Sequence, residues 1–139
     1  MKDQNYKNHK QFSPLYHFFT VPLSFVCLAL AINNVFKDAN MTSVILLILS
    51  VLIILGLALM RLFSLKAQDR AIRAEENLRY FSITGKLLDK ELRIGQITAL
   101  RFAGDNEFIE LVDKAKNGNM NSNDIKQSIK NWRADHHRV

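Results

Sequence analysis

The run Val44-Ile45-Leu46-Leu47-Ile48-Leu49-Ser50-Val51-Leu52-Ile53-Ile54-Leu55-Gly56 holds no charge, no proline and a single hydroxyl. Extended to residues 43–65, it gives roughly 22 residues, which reach about 33 Å as a helix, enough to cross a bilayer core. A second apolar run covers residues 14–36. In hydrocarbon every backbone N–H and C=O must find its partner inside the segment, so both runs are expected to be transmembrane helices.

The surroundings of these runs support the same reading. Ser13-Pro14 is a good helix start, because Ser13 can cap and Pro14 sits where a missing N–H costs nothing. Tyr16, His17, Phe18 and Phe19 then fall at the water–lipid boundary, where aromatic residues anchor a span. Pro22 leaves the Phe18 carbonyl without its usual donor and is expected to bend the helix. Residues 37–42 form an external loop too short for anything but joining two antiparallel neighbours. Asn40-Met41-Thr42 matches a glycosylation sequon but reads as a polar turn beside the membrane. Within the spans, Ser24, Asn33, Ser50 and Gly56 are the candidates for close or polar helix contacts, without forming a compelling motif.

Charge sets the orientation. Lys2, Lys7 and Lys10 precede the first run, Lys37 in the loop is offset by Asp38, and Arg61, Lys66, Arg70 and Arg73 open the segment after the second. Positive charge stays inside, so both termini are expected in the cytoplasm. A cleavable signal peptide ending near Ala29-Leu30-Ala31 is the rival, weakened by the long polar lead-in, Asp3 and the aromatic-rich start. The lone cysteine, Cys27, reads as a packing residue; Val26 before it is too bulky for a lipoprotein cleavage site.

The totals conceal this segregation. The 139 residues have a mean hydropathy of −0.04, yet only Lys37, Asp38 and Arg61 are charged between 14 and 65. The net charge of +6 follows from the positive-inside rule; contact with lipid headgroups is the next reading, and nucleic acid a weak one.

Beyond residue 65 no turn signal appears before Phe81, so the second helix is expected to continue through residues 66–81 as a cytoplasmic extension, a rod of about 39 residues in all. Ala67, Ala71, Ala74, Leu78 and Phe81 recur along it at spacings of four and three, a helix-packing seam for another chain or for this chain's own last helices. Gly85 ends the rod; Thr84-Gly85-Lys86 is no P-loop, because Tyr80 stands where the earlier glycine is needed. Residues 82–139 read as a small helical domain with three pieces. One helix covers 93–104, with Ile94, Ile97 and Leu100 on one side. The next, capped by Asp105 and stopped by Asn117-Gly118, carries Phe108, Leu111, Val112 and Ala115. The last, capped by Ser122 or Asn123 with Asp124 in its first turn, carries Ile125, Ile129, Trp132 and His136, and presents Lys126, Lys130 and Arg133 as a basic ridge. A domain of under about 60 residues is marginal alone and must lean on the rod, the membrane, a second copy or another protein.

Reactive constellations are not suggested. His9, His17, His136 and His137 give no i, i+4 pair, Glu107 and Glu110 lack the Glu-x-x-His companions of a di-iron site, and no nucleophile set stands out. No cofactor or metal is expected, and the chain does not read as an enzyme.

Over nearly its whole length the chain resembles a bacterial family of two-span membrane proteins known only by a domain-of-unknown-function label. The resemblance is carried by Gln4-Asn5-Tyr6-Lys7-Asn8-His9, Gln68-Asp69-Arg70, Leu78-Arg79-Tyr80-Phe81, Thr84-Gly85-Lys86, Gln96-Ile97-Thr98-Ala99-Leu100-Arg101-Phe102-Ala103 and Ile125-Lys126-Gln127-Ser128-Ile129-Lys130-Asn131-Trp132. It implies a two-span protein of the bacterial inner membrane and supplies no reaction, ligand or site. Gln68, Asp69, Arg70, Arg79, Gln96 and Arg101, the polar members of those stretches, are expected to form a network joining rod and domain, or a docking surface.

The resulting expectation is an all-α membrane protein: an amino-terminal tail (1–13), a two-helix hairpin, and a second span running on into a cytoplasmic helix and domain. Its expected work is that of a non-catalytic accessory or scaffolding subunit of a respiratory, secretion or translocation complex. The alternative is a self-associating protein built on the alanine seam. A nucleic-acid or ribosome contact through the basic ridge is a further, weaker reading.

Overall fold

A computed structural model describes residues 4–9 and 12–135; Lys2, Asp3, Lys10, His136 and His137 lie outside the described residues. Every regular element among them is helical. A π-helical segment (Leu15–Thr20) leads into α1 (Val21–Lys37), followed by α2 (Met41–Thr84), α3 (Ile94–Leu100), α4 (Asp105–Asn117) and α5 (Ser122–Ser128). The described residues divide into two compact units, one of residues 12–65, the other of residues 4–9 with 66–135.

In the first unit, Leu15–Lys37 and Met41–Thr84 are both long and apolar enough to cross a membrane. The π-helical turn sits immediately before Pro22. Proline cannot donate to the Phe18 carbonyl and its ring crowds that oxygen, so widening the preceding turn gives the ring room. There Val21 N–H donates to the Tyr16 carbonyl and the Thr20 hydroxyl to the Leu15 carbonyl at 3.0 Å. The connection between helices is tighter than residues 37–42. α1 runs to Lys37, and Asn40 caps α2 by accepting from Ser43 N–H at 2.9 Å, while the Ser43 hydroxyl donates to the Asp38 carbonyl at 2.6 Å.

Buried or half-buried positions recur as Val21, Ser24, Leu28, Ala31 and Val35 on α1, and as Ser43, Leu47, Ser50, Ile54, Leu57 and Arg61 on α2. Steps of three and four alternate along both helices, the spacing of a single helix face. Ser24, Ala31 and Ser50 are small and buried, and the serine hydroxyls are satisfied on their own helices, by the Val21 and Leu47 carbonyls. Gly56 is half-buried and Asn33 exposed. The Tyr16 hydroxyl crosses to the Leu57 carbonyl at 3.0 Å.

The second unit is built around one apolar cluster. Leu88, Leu92, Ile97, Leu100, Phe102, Phe108, Leu111, Val112, Ile125 and Ile129 pack with Ile72 of α2, and Tyr80, Met120 and Trp132 close its edges. α2 ends at Thr84, and Gly85 follows with φ +72°, a conformation that glycine adopts at little cost. Three boundaries differ from the sequence reading. α3 stops at Leu100, before a turn that carries Arg101 and Phe102 into the core. Gly104, rather than Asp105, precedes α4; its N–H donates to the Asn131 carbonyl at 2.8 Å, leaving the Asp105 carboxylate for Arg79. Asn121 caps α5 through a reciprocal pairing with Asp124, and α5 ends at Ser128 because the following backbone pairs elsewhere: Ala103 bridges Trp132, and Arg133 N–H donates to the Phe102 carbonyl at 2.8 Å.

Candidate functional site

Arg79, on the face of α2 turned toward the second unit's core, gathers four groups. Its Nη2 donates to the Ala103 carbonyl at 2.7 Å and to Asp105 Oδ1 at 2.6 Å, its Nε to the same oxygen at 2.8 Å, and its Nη1 to Glu76 Oε2 at 3.1 Å. The guanidinium lies 4.0 Å over the Phe108 ring. Glu76 is only 5 % exposed, and burial raises its carboxyl above the ordinary value of 4.5 against the opposing pull of Arg79. Nearby, the Asn77 side chain accepts from Leu88 N–H at 3.0 Å, tying the chain after Gly85 back onto the helix.

Gln96 is a second buried node. Its amide donates to the carbonyls of Ala115 at 3.0 Å and Met120 at 2.9 Å, and its oxygen accepts from Arg93 N–H at 2.8 Å, joining α3 to the end of α4. Arg101 is buried too, 3.1 Å from Asp135 and 4.7 Å over the Phe102 ring. The six polar residues singled out in the sequence therefore separate. Arg79, Gln96 and Arg101 hold three different joints inside the second unit. Gln68 and Asp69 are half-buried on α2, and Arg70 is exposed.

The basic trio does not share a helix face, since α5 ends at Ser128. Lys126 lies 3.2 Å from His9 Nε2, Lys130 is exposed with its N–H donating to Glu107, and the exposed Arg133 belongs to the bridged segment. A ridge drawn from helical periodicity is replaced by three separate placements.

Sequence reasoning attached no packing role to residues 4–9, which lie against the second unit. Asp135 N–H donates to the Gln4 side chain at 2.8 Å, and the Gln127 side chain donates to the Tyr6 hydroxyl at 3.1 Å. His9 Nδ1 lies 2.7 Å from the Tyr6 carbonyl, and its ring sits 5.9 Å from those of Phe102 and Trp132. The signal was present in Gln4, Tyr6 and His9, side chains with more hydrogen-bonding and ring chemistry than a solvated tail needs.

The seam faces away from all of this. Ala67, Ala71 and Ala74 are exposed, Leu78 is 68 % and Phe81 50 % exposed, and Leu87 just beyond is 68 % exposed. At about 100° per residue, the Ile72–Glu76–Arg79 face lies roughly 150° around α2 from the seam. The second unit thus covers one face of the helix and leaves an apolar strip bare on the other. Among the described residues no group of three or more His, Cys, Asp or Glu is arranged to hold a metal.

Fold and surface together define an all-helical protein with two long apolar helices and a separate helical unit whose buried polar groups hold structure. The chain belongs to a family of unknown function (DUF6526), whose profile matches residues 1–139. No curated protein and no solved structure matches it.

Proposed function

We propose that the protein is a non-catalytic docking subunit of the bacterial inner membrane, an accessory or scaffolding part of a larger assembly. Leu15–Lys37 and the apolar first half of α2 are its transmembrane hairpin, and the second unit is its cytoplasmic domain. Two features support this topology. The positive charges cluster before the first helix and after the second apolar run. Residues 4–9, which precede the first span, hydrogen-bond residues 127 and 135, which follow the second; two crossings return the chain to the side it left.

The observation that carries the docking role is the bare strip of Ala67, Ala71, Ala74, Leu78 and Phe81 on a helix whose other face is already packed. Extraction in gentle detergent, a native gel and mass spectrometry test it. The expected result is a stoichiometric assembly that is lost in the Leu78→Asp, Phe81→Asp double variant. An assembly that survives the double variant removes this reading. Maleimide labelling of Lys7→Cys and Lys90→Cys in a Cys27→Ser background tests the topology: both sites must label from the cytoplasmic side alone.

A further inference from the structure

We infer that the seam of α2 is a parallel homodimer interface in which Arg70 of each copy pairs with Glu75 of the other. The inference rests on the docking reading above and names its partner. Ala67, Ala71, Ala74, Leu78 and Phe81 step by four, three, four and three, which is the inner d-a-d-a-d pattern of a coiled coil. In that frame Gln68, Glu75 and Ser82 take the e positions, and Arg70 and Asn77 the g positions. A parallel pair sets each g residue against the partner's e residue five positions later. Arg70 then meets Glu75, and Asn77 meets Ser82: one opposite-charge pair, one neutral pair and no like charges. An antiparallel pair sets e against e and g against g, and loses the Arg70–Glu75 match.

Self-complementarity favours a second copy over an unrelated chain. A two-fold interface requires one patch that fits itself, apolar centre to apolar centre and positive flank to negative flank. This strip has both properties. Arg70 and Glu75 are exposed, and among the described residues neither forms a salt bridge within the chain, although Glu75 borders a cleft that Arg101 and Arg133 also line. Two copies inserted alike in one membrane present their α2 helices parallel, the direction that the charges require. The three alanines let the helices approach closely nearest the membrane, and Leu78 with Phe81 supplies the larger apolar contact beyond them.

Disulfide crosslinking of the full chain in bacterial membranes tests this. In a Cys27→Ser background, Ala71→Cys and Ala74→Cys are expected to give a disulfide-linked dimer on mild oxidation, and Arg73→Cys, off the seam, far less. Adding Arg70→Glu to Ala71→Cys should lower the dimer yield several-fold, and adding Glu75→Arg to that variant should restore it. Equal crosslinking at all three positions, or no rescue by the charge swap, overturns the inference. So does the absence of dimer at residues 71 and 74 while Lys90→Cys shows the protein inserted and labelled. A bifunctional maleimide applied to the Ala71→Cys variant separates the two readings. Adducts from position 71 to other proteins alone overturn the homodimer but leave the docking role intact, whereas no adduct of any kind counts against both.

Discussion

Arg79 illustrates how one side chain joins two segments distant in sequence. Its fork answers the Ala103 carbonyl, Asp105 and Glu76 while its plane lies on Phe108. Removing it leaves a buried carboxylate without its cation, so Arg79→Ala is expected to cost about 3–5 kcal/mol, read as a lower denaturation midpoint. Arg79→Lys keeps the charge but loses the fork and should recover only part of this. Glu76 sets a pH dependence of its own. Its carboxyl is raised in the folded protein above 4.5, so its contribution to stability is full below that value and declines as pH rises through the raised one. Asp89, held low by Glu91 N–H and by Lys116, acts in the opposite sense: its contribution is present above 3.8 and fades as pH falls through the depressed value. Glu76→Gln should therefore flatten the fall in stability above pH 4.5 while leaving the acid limb, as thermal melts across pH will register. Gln96→Leu removes one donor from the Ala115 carbonyl, which keeps Met120 N–H, leaves the half-buried Met120 carbonyl without its side-chain donor, and takes the acceptor from Arg93 N–H; the variant is expected to cost about 1–3 kcal/mol. Arg79, Gln96 and Arg101 stood out in the sequence as polar residues too specific for surface filler. Glu76 did not, because nothing in a run of charged residues says which one a core will cover.

At the scale of elements, α2 divides its labour by face. Leu78→Asp and Phe81→Asp, on the bare face, should change folding stability by less than about 0.5 kcal/mol while abolishing association. A drop in the melting midpoint comparable to that of Arg79→Ala would mean that these side chains pack inside the chain instead. Where the segment after α5 passes α4, the chains touch closely: a Cβ added at Gly104 would lie 3.0 Å from the Asn131 carbonyl oxygen. Gly104→Ala is therefore expected to destabilise by about 1–3 kcal/mol, measured by the same melts. The periodicity of Ile125, Ile129 and Trp132 fits a continuing helix, yet the helix stops at Ser128. Hydrophobic spacing records which residues are buried, and a short extended segment can bury the same ones. The bonds from Gly104 and Arg133 to the chain opposite decided between the two. Which positions of the two apolar helices are buried was hidden for a different reason: in a uniformly apolar run, the covered and uncovered faces carry the same chemistry.

For the whole molecule, residues 4–9 bring the chain's beginning to its end. The His9 ring lies against Phe102 and Trp132 with Tyr6 stacked on it, and Trp132 is the only tryptophan. Deleting residues 4–9 should shift its fluorescence to longer wavelength; an unchanged spectrum would show that the segment does not shield it. What the sequence determined by itself was written in long, redundant patterns: two apolar runs, a charged remainder, helices throughout and a heptad seam beyond the second run. Each rests on many residues, so no single neighbour can overturn it. What the tertiary structure decided was which face of α2 the second unit takes, which charged groups are buried, where the last helix stops, and where residues 4–9 lie. These depend on pairings between segments up to 131 residues apart, such as Gln4 with Asp135, and no local pattern encodes a partner at that distance.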